Sequence, residues 1–108
     1  MAKQRDSNTR VRLRQTRDSM AYERGRMQEE LSKIGVSKKD VDMIADNAEV
    51  RPKATIELVL KSFAEDMDSR MITAVKRCIN NLHKLAKKVR PLRKQLKMPV
   101  TASLNGTR

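Results

Sequence analysis

From Ile56 to Val89, apolar residues recur at steps of three and four, and this spacing constrains the fold more than any other feature of the sequence. Such spacing places apolar side chains along one face of an α-helix. The chain has one tyrosine, one phenylalanine and no tryptophan, so the strands of a sandwich or barrel would lack the aromatic residues they commonly use. We therefore expect an all-α fold, a small helical domain of three to four helices with a long C-terminal amphipathic helix and basic tails.

The N-terminal third divides into a basic stretch and a first helix. Residues 1–17 have no helical apolar spacing, so we expect a flexible basic arm there, with a short strand as the alternative. A helix is expected from Ser19 to about Lys33, because Asp18 or Ser19 can cap its start. Gly35 just beyond its end is a typical residue for terminating a helix.

The second helix has the clearest start in the sequence. Ser37 can cap it with Asp40 at the third position, and Val36 and Val41 can pack together across its first turn. We expect this helix to end near Glu49, because a proline follows shortly afterwards and disfavours helical backbone in the residue before it.

The remaining helices share one continuous apolar pattern. Pro52 lies in the first turn of the third helix, where a proline is tolerated. A break is expected at residues 66–69, where Asp68 or Ser69 could cap a fourth helix. We expect Pro91 to end that fourth helix, because proline cannot continue the backbone hydrogen bonding.

The net charge of +12 is concentrated at the two ends of the chain. Residues 1–17 carry +5, residues 18–75 carry −3, and residues 76–108 carry +10 without one acidic residue. A solvated surface normally mixes both signs, so this segregation indicates attraction to a polyanion. We expect nucleic acid rather than a membrane, because a Trp- or Phe-rich apolar face for lipid contact is missing.

Residues able to carry catalysis are few. His83 has no evident nucleophile beside it, and Cys78 lies on the apolar face, where a cysteine is usually inert. The sequence has neither a glycine-rich phosphate loop nor a recognised spacing of metal ligands. We expect no enzymatic activity, no cofactor and no metal.

The same composition bounds the location. A single cysteine excludes an internal disulfide, and no apolar run approaches the ~20 residues of a membrane span. Since the N-terminus also lacks the apolar core of a secretory signal, we expect a cytoplasmic protein.

The stretch VDMIADNAEVRPKATIELVLKSF, residues 41–63, resembles the helix-turn-helix family of DNA-binding domains. The matching positions are the small residues Ala45 and Ala48, the buried apolar residue of the turn, Val50, and the residues that would anchor the second helix to the core, Ile56, Val59 and Leu60. The resemblance implies that the second of these helices enters the major groove with its first turn. Arg51 could then bind guanine through two hydrogen bonds, while Lys53 and Thr55 would reach base edges or phosphates.

The N-terminal half also resembles a second DNA-binding family, the ribbon-helix-helix proteins. The strand would be residues 10–15, the helices residues 18–34 and 37–49, and Gly35-Val36-Ser37 would match the loop between them. In that family two strands pair in a dimer and insert polar side chains into the major groove. The resemblance implies three base-reading residues: Arg10, Arg12 and Arg14.

Two rows of polar side chains run along the last helix, opposite its apolar face. One row is Arg77, Asn81, Lys84 and Lys88, and the parallel row is Lys76, Asn80, His83 and Lys87. Such side chains suit phosphate contacts, which position a protein on nucleic acid and give strong salt dependence without sequence selectivity.

A chain this short and poor in aromatic residues buries little apolar area alone, so we expect a homo-oligomer, most simply a dimer. The expected dimer interface is the apolar face of the long pattern, formed by Phe63, Met67, Met71, Cys78, Leu82, Leu85 and Val89. Paired apolar faces at this spacing are typical of helix–helix association.

These patterns predict a DNA-binding protein, either a transcription regulator or an accessory or architectural factor of plasmid or phage type, that prefers duplex DNA to RNA. Its parts would be a basic arm at 1–17, a helical DNA-binding and dimerisation domain at 18–90, and a basic flexible tail at 91–108. Two alternatives stay open: an RNA-binding protein, such as an antiterminator or ribosome-associated factor, and a helical module that binds an acidic protein.

Overall fold

Four α-helices account for most of the chain. The computed structural model describes the backbone of residues 2–106 and the side chains of residues 7–96. The helices are α1 (Ala2–Ser32), α2 (Lys38–Val50), α3 (Pro52–Phe63) and α4 (Ser69–Gly106), and one turn of 3₁₀ helix spans Ala64–Asp66. Because the described residues contain no strand, the predicted all-α fold with a long C-terminal helix is confirmed.

The two long helices, α1 and α4, run antiparallel and contact each other extensively. The Thr9 hydroxyl near the start of α1 lies 3.4 Å from Oε1 of Gln95, far along α4. Nearer the other end of the pair, Glu23 of α1 lies close to Cys78 of α4. The result is an elongated molecule of 60 × 21 × 20 Å.

The short helices α2 and α3 pack against one end of this pair. Arg24 of α1 forms an ion pair with Asp46 of α2, and His83 of α4 contacts the backbone of Glu49. We call the end that contains α2 and α3 the head. We call the two-helix end, residues 7–17 together with residues 84–96, the arm.

The turn between α1 and α2 uses the glycine that the sequence indicated. Gly35 has a φ of 85°, a left-handed conformation that favours glycine. Its N–H donates to the carbonyl of Ser32 at 3.0 Å, and the N–H of Val36 donates to the carbonyl of Leu31 at 3.1 Å. This pair of bonds is the Schellman arrangement. Leu31 and Val36, the two apolar residues that the second bond joins, are both buried.

Two of the three predicted helix caps are formed by side chains, whereas Asp18 and Ser19, expected to cap the first helix, lie inside α1. The Ser37 hydroxyl accepts a hydrogen bond from the N–H of Asp40 at 3.2 Å, at the start of α2. The Asp68 carboxylate accepts one from the N–H of Met71 at 2.7 Å, at the start of α4. The predicted break between the third and fourth helices is therefore confirmed, and Asp68 is the residue that caps the fourth.

The core joins all four helices of the head. Its buried members are aliphatic or sulfur-containing and include Met27, Leu31, Val41, Ile44, Val59, Met71, Val75, Cys78, Ile79 and Leu82. Ala45 and Ala48 are fully buried on α2, and their small size lets neighbouring helices approach closely. Each fully buried aliphatic side chain of this kind stabilises the fold by about 1.5–3 kcal/mol.

The apolar face predicted as a dimer interface is buried inside the chain. Met67, Met71, Cys78 and Leu82 belong to the head core, and Val89 is buried as well. Phe63 and Leu85 are half-buried in the same region. The prediction assigned these residues to a second subunit, whereas α1, α2 and α3 of the same chain cover them.

Residues 2–17 are helical. The flexible basic segment expected there, and the alternative strand, were both wrong. They form the first half of α1, in which Thr9 and Leu13 are buried and Thr16 is half-buried. These positions repeat at four and three residues, so the inward face of the helix exists, but two of its members are threonines. A search for apolar residues alone does not detect such a face.

The last helix continues through Pro91, so the prediction that this residue ends it was wrong. A proline inside a helix costs about 3 kcal/mol and leaves the carbonyl four residues earlier, that of Lys87, without its usual backbone donor. Packing against α1 offsets this cost, since Val89 is buried and Leu92 and Leu96 are half-buried on either side of the proline. The expected flexible tail is helical over residues 91–106.

Candidate nucleic-acid interface

The arm carries ten Lys and Arg residues and no Asp or Glu over residues 7–17 and 84–96. All ten are exposed, and they are Arg10, Arg12, Arg14, Arg17, Lys84, Lys87, Lys88, Arg90, Arg93 and Lys94. None of them takes part in an ion pair among the described residues. The folded chain thus brings the two basic ends of the sequence together on one structure about 20 Å across.

The cations lie on several sides of the arm. Arg10, Arg14 and Arg17 follow one flank of α1, beside Leu13 and next to Asp18, the acid that directly follows the arm in the sequence. Arg12 lies on the other flank, where it lines a groove of about 450 Å³ together with Lys88 of α4. Since both helices contribute to this groove, its geometry exists only when α1 and α4 are paired.

The polar rows predicted on the last helix are present on α4 and reach from the head into the arm. Arg77, Lys84 and Lys88 are exposed, while Asn81 is half-buried. In the parallel row, Lys76, Asn80 and Lys87 are exposed and His83 is half-buried. These rows extend the basic surface of the arm toward the head.

His83 has a structural partner. Its Nδ1 lies 2.9 Å from the backbone carbonyl of Glu49, in the last turn of α2. A carbonyl only accepts hydrogen bonds, so this ring nitrogen donates, and the histidine satisfies one of the carbonyls that a helix leaves open at its end. No local pattern indicates this contact, because the two residues are far apart in the chain.

The residues of the helix-turn-helix resemblance lie in the head, and only some of the predicted base-contacting side chains are exposed. Only Arg51 links α2 to α3, and its side chain and that of Lys53 are exposed. Thr55 is buried, and its hydroxyl donates to the carbonyl of Arg51 at 2.6 Å, so it does not face a ligand. Val50, predicted to be buried in the turn, is 58% exposed.

The other apolar and small residues of the resemblance are buried or half-buried. Val59 is buried, Ile56 and Leu60 are half-buried, and the two small residues of α2 are fully buried. The surface around them differs in charge from the arm, because residues 38–68 carry eight Asp and Glu against five Lys and Arg. The head is therefore weakly acidic.

The ribbon-helix-helix arrangement is not present in the described residues. Arg10, Arg12 and Arg14 lie on α1, a helix, and not on a strand. Arg10 and Arg14 share one flank of this helix, and Arg12 lies on the other, whereas a strand would direct all three to one face. Val11, which a strand would direct toward a core, is 53% exposed. The three arginines stay on the surface, but their spacing is helical.

Arg24 is a residue that the sequence analysis missed. It donates to Asp46 at 2.6 Å and to Glu49 at 2.7 Å, which links α1 to α2. Partial burial lowers the pKa of Arg24, but the hydrogen bonds and charges of the two carboxylates outweigh that effect and hold the pKa above its ordinary value. One cation of α1 thereby pairs with two acids of the head, and the three groups together keep a charge of −1.

The described part of the chain has few features of other functional classes. Its side chains include no group of three or more His, Cys, Asp or Glu that could hold a metal ion. Burial raises the pKa of Cys78 to about 11, and Glu23 adds to the effect, so the thiol is protonated at neutral pH. Within the described residues, no helix is both long and apolar enough to cross a membrane.

No protein-family model, no curated protein and no solved structure matches this chain.

Proposed function

We propose that this chain binds nucleic acid through its arm, with duplex DNA as the preferred target. The observation that carries the proposal is the set of ten exposed cations on residues 7–17 and 84–96, without an acid among them. Lys and Arg that neutralise phosphates release condensed counterions, which supplies most of the sequence-independent affinity. The weakly acidic head would then lie away from the polyanion.

The dimensions of the arm favour contacts with the DNA backbone. The molecule is about 20 Å across, whereas the major groove of duplex DNA is about 12 Å wide and admits a single helix. The paired helices therefore fit across the phosphates, and at most one of them enters a groove. Such contacts position a protein without reading sequence, which suits an accessory or architectural role better than site-specific regulation.

The proposal does not require a dimer. The apolar face assigned to dimerisation is covered within the chain, and the arm is complete with one copy of α1 and one of α4. A regulator of transcription that reads a specific site would need a further base-contacting element, for which Arg51 and Lys53 are the exposed candidates in the head.

Salt-dependent binding tests the proposal. Fluorescence anisotropy is measured with a labelled duplex across a range of salt concentrations, for the wild type and for Lys87→Ala combined with Lys94→Ala. Loss of two phosphate contacts should lower the slope of log K against log salt by about 2. The pair Lys38→Ala with Lys39→Ala removes the same charge from exposed sites in the head and should leave the slope unchanged.

The competing functions give different results in the same assay. Structured RNA that displaces the duplex at fixed salt would indicate an RNA-binding protein. Absence of binding to either nucleic acid at low salt would overturn the proposal and favour an acidic protein partner.

A further inference from the structure

The groove between the two helices of the arm has a different composition from the rest of the basic surface. It has a volume of about 450 Å³ and lies between α1 and α4. Two cations, two amides, two apolar side chains and one hydroxyl line it: Arg12, Lys88, Gln15, Gln95, Pro91, Leu92 and Thr16. The other eight cations of the arm do not line this groove.

We propose that this groove binds one phosphodiester strand of the nucleic acid, with its phosphates between Arg12 and Lys88. The inference rests on the proposed function and specifies where on the arm the strand lies. A concave groove receives a convex backbone, whereas base edges lie inside the grooves of the duplex and are reached by protruding side chains. The shape of the site therefore fits a sugar-phosphate backbone.

The neutral side chains of the groove add to the two charges. The hydroxyl of Thr9 lies 3.4 Å from Oε1 of Gln95 and donates to it, so the amide NH₂ of Gln95 stays available to donate to a phosphate oxygen. Gln15 supplies a second amide on the opposite helix. Amide donors of this kind are common partners of phosphate in protein–DNA complexes.

The apolar wall of the groove fits the sugar. Pro91 and Leu92 place hydrocarbon beside the amides and cations, and the deoxyribose ring between two phosphates presents C–H groups. A site for free inorganic phosphate would gain nothing from this wall. The groove thus matches the alternation of charged and apolar groups along a nucleic-acid strand.

A comparison of two equally charged double variants tests the inference. Arg12→Ala with Lys88→Ala removes the groove cations, and Arg14→Ala with Lys84→Ala removes two exposed cations outside it. The probe is a duplex of about 20 base pairs, which exceeds the 60 Å length of the protein at about 3.4 Å per base pair. We expect the groove pair to weaken binding about tenfold more than the outside pair, because charge-assisted hydrogen bonds are lost as well as charge.

A neutral variant separates hydrogen bonding from charge. Gln15→Met keeps the side-chain length but removes an amide donor of the groove, and the residue is exposed, so folding should be preserved. We expect binding to weaken about fivefold with the salt slope unchanged, since no charge is lost. Circular dichroism verifies that each variant is folded.

The outcomes distinguish the inference from the proposed function. Equal losses for the two charge pairs, or unchanged affinity of the glutamine variant, would show that only diffuse charge matters and would overturn the groove while leaving nucleic-acid binding intact. No salt-dependent binding by the wild type would overturn the proposed function itself.

Discussion

Cys78 shows how the fold sets the chemistry of a single residue. It lies in the core on α4 with 1% of its surface exposed. Burial first, and the nearby Glu23 carboxylate second, raise its pKa from an ordinary value of 9.0 to about 11. Oε1 of Glu23 is itself buried and has no hydrogen-bond partner in the described residues. A thiolate at this position would therefore be both desolvated and repelled.

This shift predicts a loss of stability at alkaline pH that depends on Cys78. The unfolded thiol ionises near pH 9 and the folded thiol near pH 11, so the unfolded state loses its proton first and is favoured as pH rises through this window. A difference of two pKa units corresponds to about 2.7 kcal/mol of unfolding free energy, of which roughly 2 kcal/mol is lost between pH 8 and pH 11. Urea unfolding at pH 8 and pH 11 measures it.

Cys78→Ala is the matched control for that experiment, because it removes the thiol but leaves every lysine and tyrosine that also titrates. The stability advantage of the wild type over this variant should shrink between pH 9 and pH 11. An advantage that stays constant across this range would contradict the proposed environment of the thiol.

At the scale of a helix, α4 is the element that departs most from its local sequence preferences. It passes through Pro91, which lacks the N–H that the helix would use and is exposed on the surface of the arm. The neighbouring Val89 and Leu92 face α1. Tertiary packing along the pair therefore outweighs a strong local preference for ending the helix.

Pro91→Ala tests whether the helix is continuous. In a continuous α4 the alanine restores a backbone hydrogen bond to Lys87 and relieves the helix of about 3 kcal/mol. Part of that gain, about 0.4–1 kcal/mol, is offset because the unfolded chain becomes more flexible. We expect the variant to be about 2 kcal/mol more stable in chemical denaturation, with helicity retained. Lower stability would indicate that the helix ends at the proline.

The whole molecule separates its charges between its two ends. Every charged residue of the arm is a Lys or an Arg. Residues 38–68 of the head, in contrast, include more acidic than basic residues. Within the head, Arg24 already occupies Asp46 and Glu49. Long-range attraction to a polyanion should therefore orient the molecule with its arm toward the nucleic acid.

This charge separation predicts that the head contributes little to affinity. Arg51→Ala with Lys53→Ala removes the two exposed cations of the helix-turn-helix resemblance and should change the dissociation constant less than about threefold, within the range of ordinary surface substitutions. Binding is measured on several duplex sequences. A large loss, or a change in sequence preference, would instead indicate that α3 reads bases.

Local interactions were predictable from the sequence wherever the residues that form them are close in the chain. The Ser37 and Asp68 caps, the turn at Gly35 and the proline that begins α3 each depend on bonds across three to five residues. The apolar spacing of α4 indicated its buried face correctly. The exposed cations of the candidate site could also be named, because charge is a property of the sequence itself.

The tertiary structure alone decided what covers the apolar face of α4 and which cations lie together. Thr9 and Thr16 occupy inward positions on α1, so its first half has too few apolar residues to be recognised as a helix without its partner. Pairing with α4 supplies the burial that stabilises this half, and the same pairing creates the groove between Arg12 and Lys88. The length of α1, the continuity of α4 through Pro91 and the groove all depend on contacts between residues more than seventy positions apart, such as Thr9 and Gln95, which no local pattern encodes.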